Sequence, residues 1–128
     1  MDDGDAPYHA HIYYSAEQWP AAEALRDEFV RQSGEGLVLF VGQMTERGVG
    51  PHPLPQYEVH FLRQSLAPVV SMIEESGLRA LVHPLTDDDV ADHTSLAQWI
   101  GEPLELDLAT LDPPGHNQGI PRFGKTDF

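Results

Sequence analysis

The sequence predicts a single α+β domain. Segments typical of strands and helices follow one another in the order β-α-β-β-α-β. The chain has 128 residues, which suits one domain with one hydrophobic core. Hydrophobic residues make up 41% of the chain and charged residues 22%, as in ordinary globular proteins. There is no cysteine, so disulfides and thiolate metal sites are both excluded.

The first three elements follow from local pattern. Tyr8–Tyr14 is aromatic and β-branched and contains no breaker, which predicts a strand. A helix should follow, beginning either at a capping box of Ser15 and Gln18 or at Pro20. Its apolar stripe consists of Ala22, Leu25 and Phe29, and glycines after residue 33 should end it. Leu37–Gln43 is a continuous apolar run, which predicts a second strand.

The next elements complete a recognisable order. Gln43–Pro55 is a long loop rich in glycine and proline, and such loops in compact domains are usually functional or disordered. Gln56–Leu62 alternates and predicts a third strand, and Leu78–Leu85 predicts a fourth. Between them a helix ending at Gly77 carries apolar residues with helical spacing at Leu66, Val69, Val70 and Ile73. This is the order of a ferredoxin-like fold, an antiparallel four-stranded sheet with both helices on one face.

Two further elements are expected after the fourth strand. A capping box formed by Thr86 and Asp89 predicts a C-terminal helix that carries apolar residues as far as Ile100. An alternating apolar pattern then predicts a short extra strand at Leu104, Leu106 and Leu108. We therefore expect the domain to cover residues 1–111. Residues 112–128, rich in proline, glycine and asparagine, are expected to form a flexible tail.

The charge of the chain limits its partners. The net charge is −14, from 21 acidic against 7 basic residues. Nucleic acid and anionic membrane surfaces would be repelled, so we expect neither as a partner. No apolar run approaches the ~20 residues that a membrane span requires. The first residues also lack the basic-then-apolar pattern of a secretory signal, and we expect a cytoplasmic protein.

Histidine is the residue type that points to chemistry. Five of the seven histidines lie in three short segments, at residues 8–14, 50–59 and 81–94. Histidine is the commonest metal ligand and transfers protons near neutral pH. Alternation along the strands should place five polar side chains on the sheet face opposite the helices: His9, His11, Glu58, His60 and His83. They could converge on one cation, or they could be polar decoration of an open face.

The remaining candidates lie outside the strands. His52 stands between two prolines that restrict the backbone, which suits a metal ligand or an acid–base catalyst. The alternative is that the prolines only stiffen the loop. His93 follows Asp92 near the predicted third helix, where it could act in catalysis or simply be solvated. His60 is the weakest candidate and could be a plain surface residue. Glu58 could be a carboxylate ligand or could orient a ligating histidine.

Taken together, four segments resemble the DOPA 4,5-dioxygenase family, the small ring-cleaving dioxygenases of fungi and bacteria. They are YHAHIYY, VGPHPLPQYEV, LVHPLTDDDVADHT and AQWIGEPLELDL, and the resemblance runs from about Tyr8 to Leu108. It implies a ferredoxin-like fold and a homodimer. It also implies extradiol cleavage of DOPA or a related catechol with O2 and non-haem Fe(II), a metal that proteins often hold with open coordination positions.

The resemblance also implies roles for individual residues. Carried onto this chain, it points to His9, His11 and His83 as metal ligands. His52 and His93 would be acid–base or substrate-orienting groups, although His52 could exchange with a ligand. Substrate contacts are expected from Tyr13, Tyr57 and Glu58, and Trp99 could also stack on the ring. The three aromatic residues could equally belong to the core or to an interface. An all-histidine site and a site that includes Glu58 both stay open.

Two other classes of function are compatible with the sequence. One is a non-catalytic, dimeric ferredoxin-like module that binds a small ligand or a metal. The other is a cofactor-free oxygenase or isomerase of the dimeric α+β barrel type. Neither class needs five histidines in these settings, so the sequence favours the iron-dependent dioxygenase.

Overall fold

The computed structural model describes residues 6–48, 51–86 and 89–111. The tail predicted at 112–128 therefore lies outside the described residues. The elements are β1 (Pro7–Tyr13), α1 (Trp19–Ser33), β2 (Phe40–Val41), β3 (Gln56–Leu62), α2 (Leu66–Ser76), β4 (Arg79–Pro84), α3 (Asp89–Asp92) and β5 (Gln98–Ile100). Short 3-10 turns occupy Arg63–Ser65 and Leu108–Thr110.

The strands form one antiparallel sheet in the order β2-β3-β1-β4-β5. The first four strands have the ferredoxin-like arrangement, which confirms the predicted fold class. β1 lies between β3 and β4, and its register places His9 opposite both His60 and His83. This register brings the histidine-bearing positions of three neighbouring strands into one row across the sheet.

The hydrophobic core lies between the sheet and the two long helices. α1 and α2 bury their predicted apolar stripes against one face of the sheet. That face is built from alternate strand residues, namely Ala10, Ile12, Tyr57, Val59, Phe61, Ala80 and Val82. The remaining residues of each strand, which alternate with these core residues, point to the opposite face of the sheet. Within the described ranges, no helix has the length and apolar character needed to cross a membrane.

Local signals set the ends of the helices. Ser15 and Gln18 make both reciprocal capping contacts, at 3.0 and 3.3 Å. α1 then begins at Trp19, with Pro20 in its first turn, where a missing backbone N–H costs nothing. Gly77 ends α2 with a φ of 76°, a left-handed conformation that glycine adopts without steric cost.

The second strand is shorter than the predicted Leu37–Gln43. Regular pairing is limited to Phe40–Val41 at the edge of the sheet, where a strand has only one neighbour. Backbone hydrogen bonds continue on either side, from Leu39 to His60 at 2.8 Å and from Gly42 to Glu58 at 2.7 Å. A Cβ at position 42 would lie 3.1 Å from the Cγ of Glu58 and 3.3 Å from its backbone oxygen, so a larger residue there would require Glu58 to move by a few tenths of an ångström.

The prediction of a long third helix through Ile100 was wrong. α3 ends at Asp92, and Gln98–Ile100 instead forms β5, which pairs with β4. Pairing satisfies backbone groups of β4 that would otherwise face an open sheet edge, and this outweighs helical propensity. The predicted strand at Leu104, Leu106 and Leu108 is also absent. Residues 103–107 have no regular structure, and Leu108 begins a 3-10 turn. This segment lies against the loop that contains His52, where the Asp107 amide donates to the Pro51 carbonyl at 2.9 Å.

Candidate functional site

The sheet face opposite the helices is polar and buried. It carries His9, His11, Tyr13, Gln56, Glu58, His60, Leu81, His83 and Trp99, in agreement with the strand alternation. The expectation of an open face was wrong, since the histidines of β1, β3 and β4 are at most 1% exposed. His60, for which a surface position was the alternative to a place in the site, is fully buried. Polar decoration of a solvated surface therefore does not explain this cluster.

The two nearest imidazoles are those of His11 and His83. Their Nε2 atoms are 3.0 Å apart. The Nδ1 of His83 donates to the Pro84 carbonyl at 2.8 Å, and the Nδ1 of His11 donates to Oε1 of Gln56 at 2.9 Å. In the neutral rings both Nε2 atoms therefore present lone pairs to each other. Two bonds of ~2.1 Å from one metal at right angles would separate the ligand atoms by ~3.0 Å, so this pair fits adjacent ligands of one cation.

All five histidines of the sequence clusters meet around this pair. The donor atoms of His9, His11 and His83 lie within 4.8 Å of one another. The same holds for His11, His52 and His93. The loop and the α3 segment thus lie over the sheet face, with ring centroids 4.2 Å apart for His11 and His52 and 4.3 Å apart for His83 and His93. The structure therefore brings together the predicted ligands and the predicted acid–base groups, with His11 common to both triads.

Burial keeps the central imidazoles neutral. Desolvation, followed by repulsion from His83 and His93, holds the pKa of His11 well below its usual range. Desolvation, followed by repulsion from His11 and His93, likewise holds the pKa of His52 far below its ordinary value. Neutral imidazole is the form that binds metals, because the protonated ring has no free lone pair.

Tyr13 fixes the orientation of His52. Its hydroxyl lies 2.6 Å from the Nδ1 of His52, and its ring stacks on Trp99 with centroids 6.1 Å apart. Burial raises the pKa of Tyr13, so the phenol keeps its proton and can donate a hydrogen bond to Nδ1 of His52. In that arrangement the proton of neutral His52 is on Nε2, an atom that is buried and has no hydrogen-bond partner within the described ranges.

Glu58 lies beside His9 and His60, at the far side of the cluster. Its Oε2 is 3.9 Å from the Nδ1 of His9 and 3.6 Å from the Nε2 of His60. The two imidazoles are stacked, with centroids 3.6 Å apart and planes inclined by 10°. Lone pairs of imidazole lie in the ring plane, so stacked rings cannot both point at one ion. This group is therefore better suited to balancing charge near His9 than to holding a second metal.

Tyr57 is not brought to the site. It lies on the helix-covered face as part of the hydrophobic core, and its hydroxyl donates to the Ala22 carbonyl at 3.2 Å. This position does not support the predicted substrate contact. Gln56 was missed, although it shares a face with Glu58 and His60 by simple alternation.

A contact between Thr86 and Asp92, which the sequence analysis did not predict, anchors the segment that contains His93. The buried carboxylate of Asp92 accepts from the Thr86 hydroxyl at 2.6 Å and from the Thr86 amide at 2.9 Å. Charge-assisted bonds of this kind are among the stronger hydrogen bonds in proteins. Asp92 immediately precedes His93, so the bonds help to hold that imidazole over the sheet.

Two cavities adjoin the histidine cluster. The first, of about 600 Å³, is lined by Pro51, His52, Pro53, Glu105, Leu106, Asp107 and Leu108. The second, of about 320 Å³, is lined by His93, Thr94, Trp99, Leu104, Glu105, Leu106 and Leu108. Both volumes are in the range of small-molecule sites, which have mostly apolar walls and a few polar groups. Each cavity has one histidine of the cluster in its wall.

The chain is similar to several known proteins. Residues 8–110 match the Dopa 4,5-dioxygenase family. The chain is 33% identical over 118 residues to DOPA 4,5-dioxygenase of Amanita muscaria, covering 87% of this chain and 52% of that protein. It is 32% identical over 114 residues to an uncharacterised 21.2 kDa protein of Botryotinia fuckeliana, covering 81% and 62%. The chain thus spans about half to three fifths of the length of these relatives.

A solved structure supports the same relationship. The crystal structure of a candidate dioxygenase from Nostoc punctiforme superposes with a TM-score of 0.73 at 32% sequence identity. The match covers 86% of this chain and 95% of the Nostoc chain. From the family match over most of its length and this structural similarity, the chain belongs to the Dopa 4,5-dioxygenase family.

Proposed function

We propose that the protein is a non-haem Fe(II)-dependent dioxygenase that cleaves the ring of DOPA or a related catechol with O2 in the extradiol manner. The observation that carries the proposal is the buried His11–His83 pair, whose Nε2 atoms lie 3.0 Å apart amid three further imidazoles. Buried lone pairs at that separation repel each other unless a cation lies between them. Family membership supplies the reaction class, and the name of the Amanita relative supplies the substrate class.

The residues present fit a metal. His9, His11 and His83 would hold it, because they come from two adjacent strands, β1 and β4, and offer imidazole nitrogen donors close to one another. The hydrogen bonds from Nδ1 of His11 and His83 fix both ring orientations, as ligating histidines usually require. When bound, Fe(II) would supply open positions at which a catecholate and O2 can react together.

His52 and His93 provide for proton transfer. His93 lines the smaller cavity with Trp99 and can accept a proton from a catechol hydroxyl. His52, held by Tyr13 with its proton on Nε2, can donate a hydrogen bond to the reacting ring. The indole of Trp99 and the leucines of the cavity wall can stack on the ring and exclude water.

The partners in this proposal are one small catechol and O2. A homodimer, which the family resemblance implies, stays a prediction, as does a cytoplasmic location. Glu58 would act near the metal through His9, as a charge partner, and would not ligate.

The proposal is tested by O2 uptake. Protein reconstituted anaerobically with Fe(II) would be given DOPA and a panel of simple catechols, with a chelated sample as the control. We expect iron-dependent uptake and a yellow ring-opened product. No uptake with any catechol, despite stoichiometric metal, would reject the dioxygenase in favour of a non-catalytic binding module. Activity that survives thorough chelation would instead point to the cofactor-free class.

A further inference from the structure

The buried tyrosines of this chain have hydrogen-bond partners of two kinds. The hydroxyls of Tyr14 and Tyr57 donate to backbone carbonyl oxygens, at 2.7 and 3.2 Å, and such oxygens are not bases near neutral pH. The hydroxyl of Tyr13 instead lies 2.6 Å from Nδ1 of His52, an atom that can take up a proton. Tyr13 is therefore the buried tyrosine whose proton has a base beside it.

The pair formed by Tyr13 and His52 stays neutral unless an electron is removed from it. Burial raises the pKa of Tyr13 and lowers the pKa of His52, so the proton stays on the phenol. A phenol that loses one electron becomes a strong acid and passes its proton to a neighbouring imidazole. Loss of the electron and the proton together also avoids leaving a charge on the buried ring, which would be costly. The bond to His52 therefore makes Tyr13 easier to oxidise than a tyrosine bonded to a carbonyl.

Aromatic contacts connect this pair to the histidine site on one side and to a cavity on the other. The ring centroids of His52 and His11 are 4.2 Å apart, and His11 is one of the proposed metal ligands. The Tyr13 ring stacks on Trp99, with centroids 6.1 Å apart and planes inclined by 18°. Trp99 is half-buried and lines the smaller cavity. Electrons move readily between aromatic rings in such contact, so a continuous route leads from the site to the cavity.

From these contacts we propose that Tyr13 is a redox-active tyrosine, which is oxidised in place of the metal-binding histidines when O2 reacts at the site without a catechol. One electron leaves the Tyr13 ring for a one-electron oxidant formed from the metal and O2, which is thereby reduced. The phenol O–H bond breaks and its proton goes to Nδ1 of His52, which leaves a neutral tyrosyl radical beside an imidazolium. An electron from a reductant in solution, such as ascorbate, then returns through Trp99, and the proton returns from His52.

The protective role rests on the proposed function, because the oxidant is formed at that same site, whereas the redox activity of the pair can be measured without iron. The full chain would be loaded with Zn(II), which has no redox chemistry. It would be oxidised by flash photolysis with tris(bipyridine)ruthenium(II) and persulfate, and the tyrosyl radical would be measured by electron paramagnetic resonance after rapid freezing.

The wild-type protein should give a tyrosyl signal that is mostly lost in Tyr13→Phe. It should also be mostly lost in His52→Asn, because asparagine keeps a polar contact but cannot take up the proton. The controls are Tyr8→Phe and Tyr57→Phe, which should keep the signal. Tyr8 is more exposed than Tyr13, and Tyr57 is as deeply buried. A signal that survives in His52→Asn, or one that disappears in Tyr8→Phe, would overturn the inference.

A second experiment measures damage instead of turnover. Protein with Fe(II) and ascorbate would be exposed to O2 without a catechol, and oxidation of His9, His11 and His83 would be followed by mass spectrometry of peptides. Tyr13→Phe and Trp99→Phe should accumulate oxidised histidine several-fold faster than the wild-type protein, and equal rates would overturn the inference. Catechol cleavage without a Tyr13 radical would reject only this inference. A Tyr13 radical and faster damage in the variants, without O2 consumption when a catechol is added, would support it and reject the dioxygenase.

Discussion

The pKa shifts of the buried histidines predict a marked loss of stability in mild acid. The perturbation is a change from pH 7.0 to pH 5.5 in metal-free protein. Burial lowers the pKa of His11 and His52 in the folded state, so both stay neutral there. In the unfolded chain they regain a pKa of about 6.5 and take up protons over this range. The unfolded state then binds more protons than the folded state, so the free energy of unfolding falls as the pH falls.

The magnitude follows from linkage. An unfolded-state histidine with a pKa of about 6.5 goes from about one quarter to about nine tenths protonated between pH 7.0 and 5.5. Each histidine that stays neutral when folded then lowers the free energy of unfolding by about 1.2 kcal/mol, and His11 and His52 together by about 2.5 kcal/mol. For a domain of this size, that is a substantial part of the ~5–15 kcal/mol typical of native stability.

The assay is urea unfolding followed by circular dichroism, with chelator present, at both pH values. His52→Asn is the matched variant, because it removes one of the two titrations and keeps a polar side chain of similar reach. Carboxylates that titrate over this range do so in both proteins and cancel in the comparison. The pH-dependent loss should be smaller by about 1.2 kcal/mol in the variant. An equal loss in the two proteins would refute the assignment of His52 as a neutral, desolvated imidazole.

Four other substitutions separate the roles in the site. His11→Ala should abolish metal binding, because His11 belongs to both histidine triads, whereas His52→Ala should retain metal and lose turnover. Full metal occupancy of His11→Ala in metal analysis would contradict the ligand assignment. Tyr13→Phe should keep its metal and lower kcat by at least several fold, since the donor to Nδ1 of His52 is lost, and an unchanged pH–rate profile would exclude this positioning role. Glu58→Gln should bind as much iron as the wild-type protein, and a large loss of iron would support a two-histidine, one-carboxylate site instead.

Much of the architecture could be predicted because alternation and spacing are local properties. The strand assignments of residues 8–14 and 56–62 predicted which side chains share a face, and the pairing of His9 with both His60 and His83 confirms that common face. The histidine clusters were visible for the same reason. The burial of these histidines could not be predicted, because it depends on how the loop of His52 and the α3 segment lie over the sheet.

The errors arose where tertiary contacts override local preference. Trp99 and Ile100 fit a helical stripe as well as a strand, and the open edge of β4 decides between these possibilities. The leucines at 104, 106 and 108 alternate, but their segment is held by the loop at Pro51 and joins no strand. Gln56 and Asp92 have ordinary polar identities, and only their partners in space, His11 and Thr86, reveal a role.

The position of β1 at the centre of the sheet makes chemistry and folding inseparable in this protein. A slip of one residue in its pairing would turn His9 and His11 into the hydrophobic core and would place Ala10 and Ile12 on the histidine-bearing face instead. A shifted register of β1 would therefore lose the metal site. A cation bound by His9, His11 and His83 would stabilise the native pairing of β1 with β4. Metal affinity should then report on the integrity of the distant core, and substitutions beneath α1 or α2 that loosen the sheet should weaken metal retention without touching a ligand.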